Sequence, residues 1–131
     1  MASPVEGRRR RIFPAGTLLF EEGAPGEEAF IVEYGRVRVY KTVKGRQVEI
    51  GEVGPGGIFG EMALIDDQPR MASAVAEEET ACVVVGKQRL AEQLALAPRG
   101  VRSVMGALLD NIRLMGTELA EARVLLADPE P

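Results

Sequence analysis

Between Ile12 and about Val85 the chain is a series of short apolar runs, "TLLF", "AFIVEY", "RVRVYKTV", "QVEIGEV", "ASAVA" and "ACVVV", punctuated by "GAPG", "KG" and "GPGG". Runs of this length bounded by glycine read as strands joined by turns. In "RVRVYKTV", Arg36 and Arg38 alternate with Val37 and Val39, the period of two that a half-buried antiparallel strand requires. Lys44-Gly45 predicts a hairpin turn into the next run. Many short strands with regular turn signals predict a closed or rolled all-β unit.

After Gly86 the texture shifts to Ala, Leu, Gln, Arg and Glu. This predicts a short helix over about Lys87 to Leu96, a break at Ala97-Pro98, and a long helix from about Arg99 to Leu126. Along the long helix Val101, Met105, Leu108, Ile112, Met115, Leu119, Ala122 and Leu126 are spaced 4, 3, 4, 3, 4, 3, 4, a heptad seam. Such a seam either packs on the β unit or faces a second helix in a homodimer. Gly106 and Gly116 weaken the helix by about 1 kcal/mol each relative to Ala. The 131 residues fit one domain. Residues 1–11 form a flexible arginine-rich leader, 12–126 the folded unit (β part about 12–86, helices about 87–126), and 127–131 a tail.

Composition removes whole classes of function. The net charge of -4 argues against a DNA partner, because phosphate neutralisation needs a basic face. The one basic cluster, Arg8 to Arg11, could hold a polyanion or a membrane surface, but as an isolated run without interleaved aromatics it reads better as a solvated part of the leader. There is no histidine, and Cys82 is the one cysteine. Internal disulfides, Cys/His zinc sites and Ser-His or Cys-His nucleophile pairs are therefore excluded. Cys82 lies in an apolar run and is expected to be a buried, inert thiol. No apolar run approaches the ~18 residues of a membrane span and no signal-peptide pattern is present, so a cytoplasmic location is expected.

The stretch "GGIFGEMALIDDQPRMASAVA" places one glutamate and one arginine among small residues. "EMALI" after Gly60 predicts a short helix ended by Asp66-Asp67-Gln68 and Pro69. Its first amides, on Glu61, Met62 and Ala63, lack intrahelical acceptors and suit an anion, with small side chains at Gly60 and Ala63 allowing close approach. Arg70 could add a charged fork, with Ala72 and Ser73 leaving room beside it. A carboxylate at Glu61 would repel a phosphate unless it accepted from an uncharged donor, such as a ribose hydroxyl. The pair therefore describes a nucleotide held by phosphate and sugar. The bland alternative is that Glu61 caps the helix while Arg70 makes a surface ion pair with Asp66 or Asp67. A P-loop is excluded because "GPGGIFGE" lacks the Gly-Lys-[Ser/Thr] ending, and a dinucleotide fold because the glycines lie outside a strand-helix-strand unit.

The segment "FGEMALIDDQPRMASAVA" closely resembles the phosphate-binding cassette of cyclic nucleotide-binding domains, the family of catabolite activator proteins, protein kinase regulatory subunits and cyclic-nucleotide-gated channels. Phe59-Gly60-Glu61, Ala63-Leu64, the interval from Glu61 to Arg70, and Pro69-Arg70 followed by Ala72-Ser73 fall in register with the family pattern. "FPAGTLLFEEGAPGEEAFIVEYGRVRVYK" looks like the family's opening strands. The resemblance implies a mainly β fold, an antiparallel, jelly-roll-like β-roll with flanking helices that carries the cassette and ends in a long C-terminal helix. It implies Glu61 on the ribose 2′-hydroxyl, Arg70 on the cyclic phosphate, and backbone amides near Met62, Ala63 and Ala72 around it. Arg113, Met115 and Thr117 are the candidates for closing over the base. Met71, which follows the cassette arginine where cyclic-GMP-selective relatives often carry threonine, implies cAMP, while Ser73 keeps cGMP open. No cofactor, metal or catalytic residue is implied. With few residues after Leu126, the expectation is a stand-alone sensor that engages an unidentified effector protein without binding DNA. The competing expectation is an interaction module of the same fold that binds no nucleotide.

Overall fold

The computed structural model describes residues 9–127. Among these residues eight strands and three helices follow one another. They are β1 (Arg9–Phe13), β2 (Leu18–Phe20), β3 (Glu28–Tyr34), β4 (Val37–Val43), β5 (Arg46–Val53), β6 (Ile58–Phe59), α1 (Glu61–Asp66), β7 (Ser73–Ala76), β8 (Thr80–Gly86), α2 (Lys87–Ala95) and α3 (Arg99–Ala127). Two four-stranded antiparallel sheets, ordered β1-β8-β3-β6 and β2-β7-β4-β5, face each other as the expected roll.

The alternation in β4 does what its sequence demands. Val37 is fully buried, while Arg36 and Arg38 reach outward to Glu52 and Glu49 at 2.7 and 2.6 Å. The β4–β5 hairpin turns at Lys44 (φ 51°) and Gly45 (φ 78°), the paired positive angles of the turn type that matches strand twist. All four phenylalanines of the chain meet between the sheets. Phe30 and Phe59 stack with centroids 5.2 Å apart, Phe13 stands edge-on to Phe30 at 5.9 Å, and Phe20 closes the group. Each ring removed from water stabilises the roll by about 1.5–3 kcal/mol. Cys82 is fully buried in this core, and burial pushes its thiol up to about 11, as an inert thiol requires.

One expectation is corrected and one open alternative is narrowed. The arginine run does not wholly belong to a flexible leader, because Arg9–Arg11 form most of β1 and pair with Cys82–Val84 of β8. Their charges are spent on β3: Arg9 and Arg11 bind Glu28 at 2.6 and 3.1 Å, and Arg10 binds Glu33 at 2.6 Å. The bonds from Arg11, with those from Arg9, hold the Glu28 carboxyl below its ordinary value against the opposing effect of burial. Arg8 and the tail after Ala127 lie outside the described residues.

Of the two readings left open for the α3 seam, one is removed. Its heptad seam does not pack on the roll, since Val101, Leu108, Ile112, Met115, Leu119 and Leu126 are all exposed. The helix rests instead on Leu109, Gly116 and Ala120, with Arg113, Thr117 and Val124 half-buried beside them. Gly116 and Ala120 are small enough to let the helix lie close to β4 and β5. No helix among the described residues is long and apolar enough to cross a membrane.

Candidate functional site

The chain enters α1 through Gly60 at φ 80°, a left-handed angle that a side chain would strain. A β-carbon there would also come within 2.9 Å of an Arg70 terminal nitrogen and 3.2 Å of the Phe20 ring. The helix ends as its polar run predicts, with Asp67 in the left-handed region and its amide donating to Ala63 O at 3.1 Å. Chain reversal then brings Arg70 back under α1.

Arg70 is buried, with 6% of its surface exposed. One terminal nitrogen donates to Gly60 O and the other to Glu28 O, both at 2.7 Å, and its guanidinium carbon lies 3.9 Å from the centroid of Phe20. Its Nε has no hydrogen-bond partner. Space beside it is kept by Gly26, whose added β-carbon would fall 2.6 Å from Ala63 Cβ and 3.1 Å from Arg70 Nε. Burial lowers the guanidinium from its ordinary value, opposed by Glu28, Glu27 and Glu61. The bland alternative for this residue fails: Asp66 pairs with Arg113 and Asp67 with Lys87.

A cavity of about 150 Å³ adjoins Arg70. Its walls include Gly60, Glu61, Met62, Ala63, Arg70, Met71 and Ala72, so seven of the eight expected cassette residues come together. Ser73 does not line it; its Oγ accepts the Glu22 amide at 2.9 Å. Glu61 is half-buried, and burial raises its carboxyl above the ordinary value, partly offset by its backbone bond and by Arg70. Phe20, Val39, Ile58 and Phe59 also line the wall. Phe59 was named in the cassette pattern without a site role, and the other three were not foreseen, because nothing local marks a strand residue as facing a cavity.

Of the three α3 candidates, only Arg113 reaches the cavity wall. Its guanidinium is fully engaged, with Asp66 at 2.7 and 2.9 Å and Pro69 O at 2.8 Å. Thr117, one turn on, donates to Arg113 O at 3.2 Å and lines a separate groove beside Lys41. Met115 is 61% exposed on the far side of the helix, since two residues from Arg113 is more than half a turn. The residue of α3 that does meet the segment is Gly116: a β-carbon there would collide with Met71 Cε.

The profile of the family described as cyclic nucleotide-binding domain matches residues 10–96, more than half of the chain. The chain is 31% identical over 112 residues to the cyclic AMP receptor protein of Thermus thermophilus, covering 85% of this chain and 52% of that protein. It is 37% identical over 75 residues to the cAMP-dependent protein kinase regulatory subunit of Aspergillus fumigatus, covering 57% of this chain and 18% of that protein. It thus spans about half the length, or less, of these relatives. Among solved structures it resembles the cAMP-bound form of the EAL enzyme Bd1971, with a TM-score of 0.81 at 35% identity, covering 90% of this chain and 32% of that one. The cGMP-bound form of the same enzyme matches with a TM-score of 0.77 at 37% identity, covering 80% of this chain and 28% of that one.

Proposed function

The chain belongs to the cyclic nucleotide-binding domain family, and from this we propose that it is a cyclic-nucleotide sensor whose preferred ligand is cAMP. The observation that carries the reading is the buried Arg70 guanidinium with an unused Nε beside the half-buried Glu61 carboxylate. A buried cation with a spare donor is destabilising unless an anion completes it, and a desolvated carboxylate calls for a neutral donor. A cyclic phosphate and the adjoining ribose hydroxyl supply both. Met71 offers a thioether to the base and no hydroxyl, which favours adenine. Bd1971, solved with either nucleotide, makes cGMP the proper comparison.

Small-molecule sites span roughly 300–1,000 Å³, and the cavity here is about 150 Å³. Uptake therefore requires a wall to move, and the walls formed by Met71 and Arg113 are those attached to α3. Helix movement is then the signal, offered to an effector protein or to a second copy across the exposed seam. The role is regulatory, needs no metal or cofactor, and suits the cytoplasm.

Calorimetric titration with cAMP and cGMP tests the reading. Wild-type protein should bind cAMP more tightly, and Arg70→Ala should weaken binding at least about tenfold, since charge-assisted bonds contribute about 1.5–3 kcal/mol. No heat or spectral change at millimolar nucleotide overturns the proposal.

A further inference from the structure

The Arg70–Ser73 segment is gripped from outside the cavity at three backbone atoms and one side chain. Arg70 N donates to Ala24 O at 2.8 Å, and Gly23 N donates to Arg70 O at 2.9 Å. Glu22 N donates to Ser73 Oγ at 2.9 Å. Lys41 Nζ, on a side chain only 14% exposed, donates to Met71 O at 2.6 Å and to Glu22 Oε2 at 3.2 Å. The other Glu22 oxygen accepts the Thr42 amide at 2.8 Å, which fixes the carboxylate against β4. The shorter bond of Lys41 goes to the neutral carbonyl, so the lysine is more than one half of an ion pair.

Every peptide bond in the described residues is trans, so each N–H points opposite to the carbonyl of the same peptide unit. With the Arg70 and Met71 carbonyls turned toward Gly23 and Lys41, the amides of Met71 and Ala72 turn away from those donors. Arg70, Met71 and Ala72 line the cavity, whereas Lys41 lines a different groove.

We propose that Lys41, steered by Glu22, is a positioning residue that sets the Met71–Ala72 peptide for contact with a bound anion. The proposal rests on the cavity being a cyclic-nucleotide site. Lys41 does not itself touch the ligand; it holds the carbonyl whose orientation decides where the neighbouring amides aim.

The test uses the full chain as wild type, Lys41→Met, which keeps the stem and removes the ammonium, and Lys41→Arg, which keeps a charged donor. Each is titrated with cAMP and with its Sp and Rp phosphorothioates, in which sulfur, a poor acceptor, replaces one or the other exocyclic phosphate oxygen. Lys41→Met should bind cAMP about tenfold more weakly. Its Sp-to-Rp affinity ratio should also move toward unity, because misaimed amides no longer distinguish the two oxygens. Lys41→Arg should recover most of both. Unchanged cAMP affinity overturns the proposal, as does a uniform loss with the wild-type ratio preserved. If Lys41→Met melts far below wild type, Glu22→Gln carries the same readouts: a smaller shift of the ratio in the same direction supports the proposal and an unmoved ratio overturns it. A wild-type protein that binds none of the three ligands removes the sensor reading as well, and that result appears before any variant is compared.

Discussion

Arg113 and Asp66 form a two-point ion pair that fastens the long helix to the last residue of the cassette helix, Nε meeting Oδ2 at 2.7 Å and a terminal nitrogen meeting Oδ1 at 2.9 Å. Both side chains are largely out of water, with 19% and 11% exposed. The third donor holds Pro69 O, so one guanidinium joins α3 to both ends of the turn between α1 and Arg70.

Asp66→Asn should lower stability by about 1–3 kcal/mol in urea unfolding and speed amide exchange along α3 more than in the roll. Burial raises the Asp66 carboxyl, yet the bonds from Arg113 and the Gln68 amide outweigh it and leave it below its ordinary value. A lowered carboxyl stabilises the fold above its unfolded value of about 4 and loses that contribution as pH falls through the folded value. Docking of α3 should therefore weaken below about pH 4, and Asp66→Asn should flatten that part of the pH profile. An identical acid limb in the variant would show that other carboxylates govern it.

Glu61, five residues earlier on the same helix, is shifted the other way. A raised carboxyl favours the fold below its unfolded value, and that contribution is lost as pH rises through the folded value. At neutral pH the buried charge is a burden to the ligand-free protein. Glu61→Gln should thus melt at a slightly higher temperature than wild type near pH 7 while binding cAMP more weakly. The loss should be small for the 2′-deoxy analogue, which offers the carboxylate no hydroxyl. Equal losses for both ligands would separate Glu61 from the sugar.

The strands were legible because alternation and glycine turns are local properties, and the Glu61–Arg70 segment because its chemistry lies within a dozen residues. What escaped depends on distance along the chain. Arg9 to Arg11 look solvated until Glu28 and Glu33 are brought beside them. Phe20 under Arg70 joins residues fifty positions apart. Which face of α3 meets the roll stayed open because that face is built from Leu109, Gly116 and Ala120 with half-buried Arg113 and Thr117, a set no hydrophobic period singles out.

Gly116 offers a sign test of that packing. Alanine should strengthen an ordinary helix position by about 1 kcal/mol over glycine, but here its β-carbon meets Met71 Cε. Gly116→Ala should be neutral or destabilising alone and stabilising by about 1 kcal/mol in a Met71→Ala background. Additive effects in denaturant unfolding would mean that the two residues do not meet in solution.

The exposed seam predicts self-association. Sedimentation equilibrium should show a dimer that Leu108→Glu and Ile112→Glu, made together, convert to monomer without loss of β-sheet signal. A monomeric wild type at high micromolar concentration would overturn the dimer reading of the seam.

Strand β1 lies between solvent and β8, paired from Arg9 with Val84 to Phe13 with Thr80. During synthesis it therefore emerges long before its partner exists, and the roll closes only when the last strand has left the ribosome. A bare strand waiting that long is exposed to pairing with other chains. Four consecutive arginines, Arg8 to Arg11, give that segment of the unfolded chain a charge that opposes pairing with a like strand, and Glu28 and Glu33 of β3 pair with Arg9 to Arg11 in the folded sheet. The same arginines that burden an unpaired edge with like charge become ion-paired members of the finished sheet.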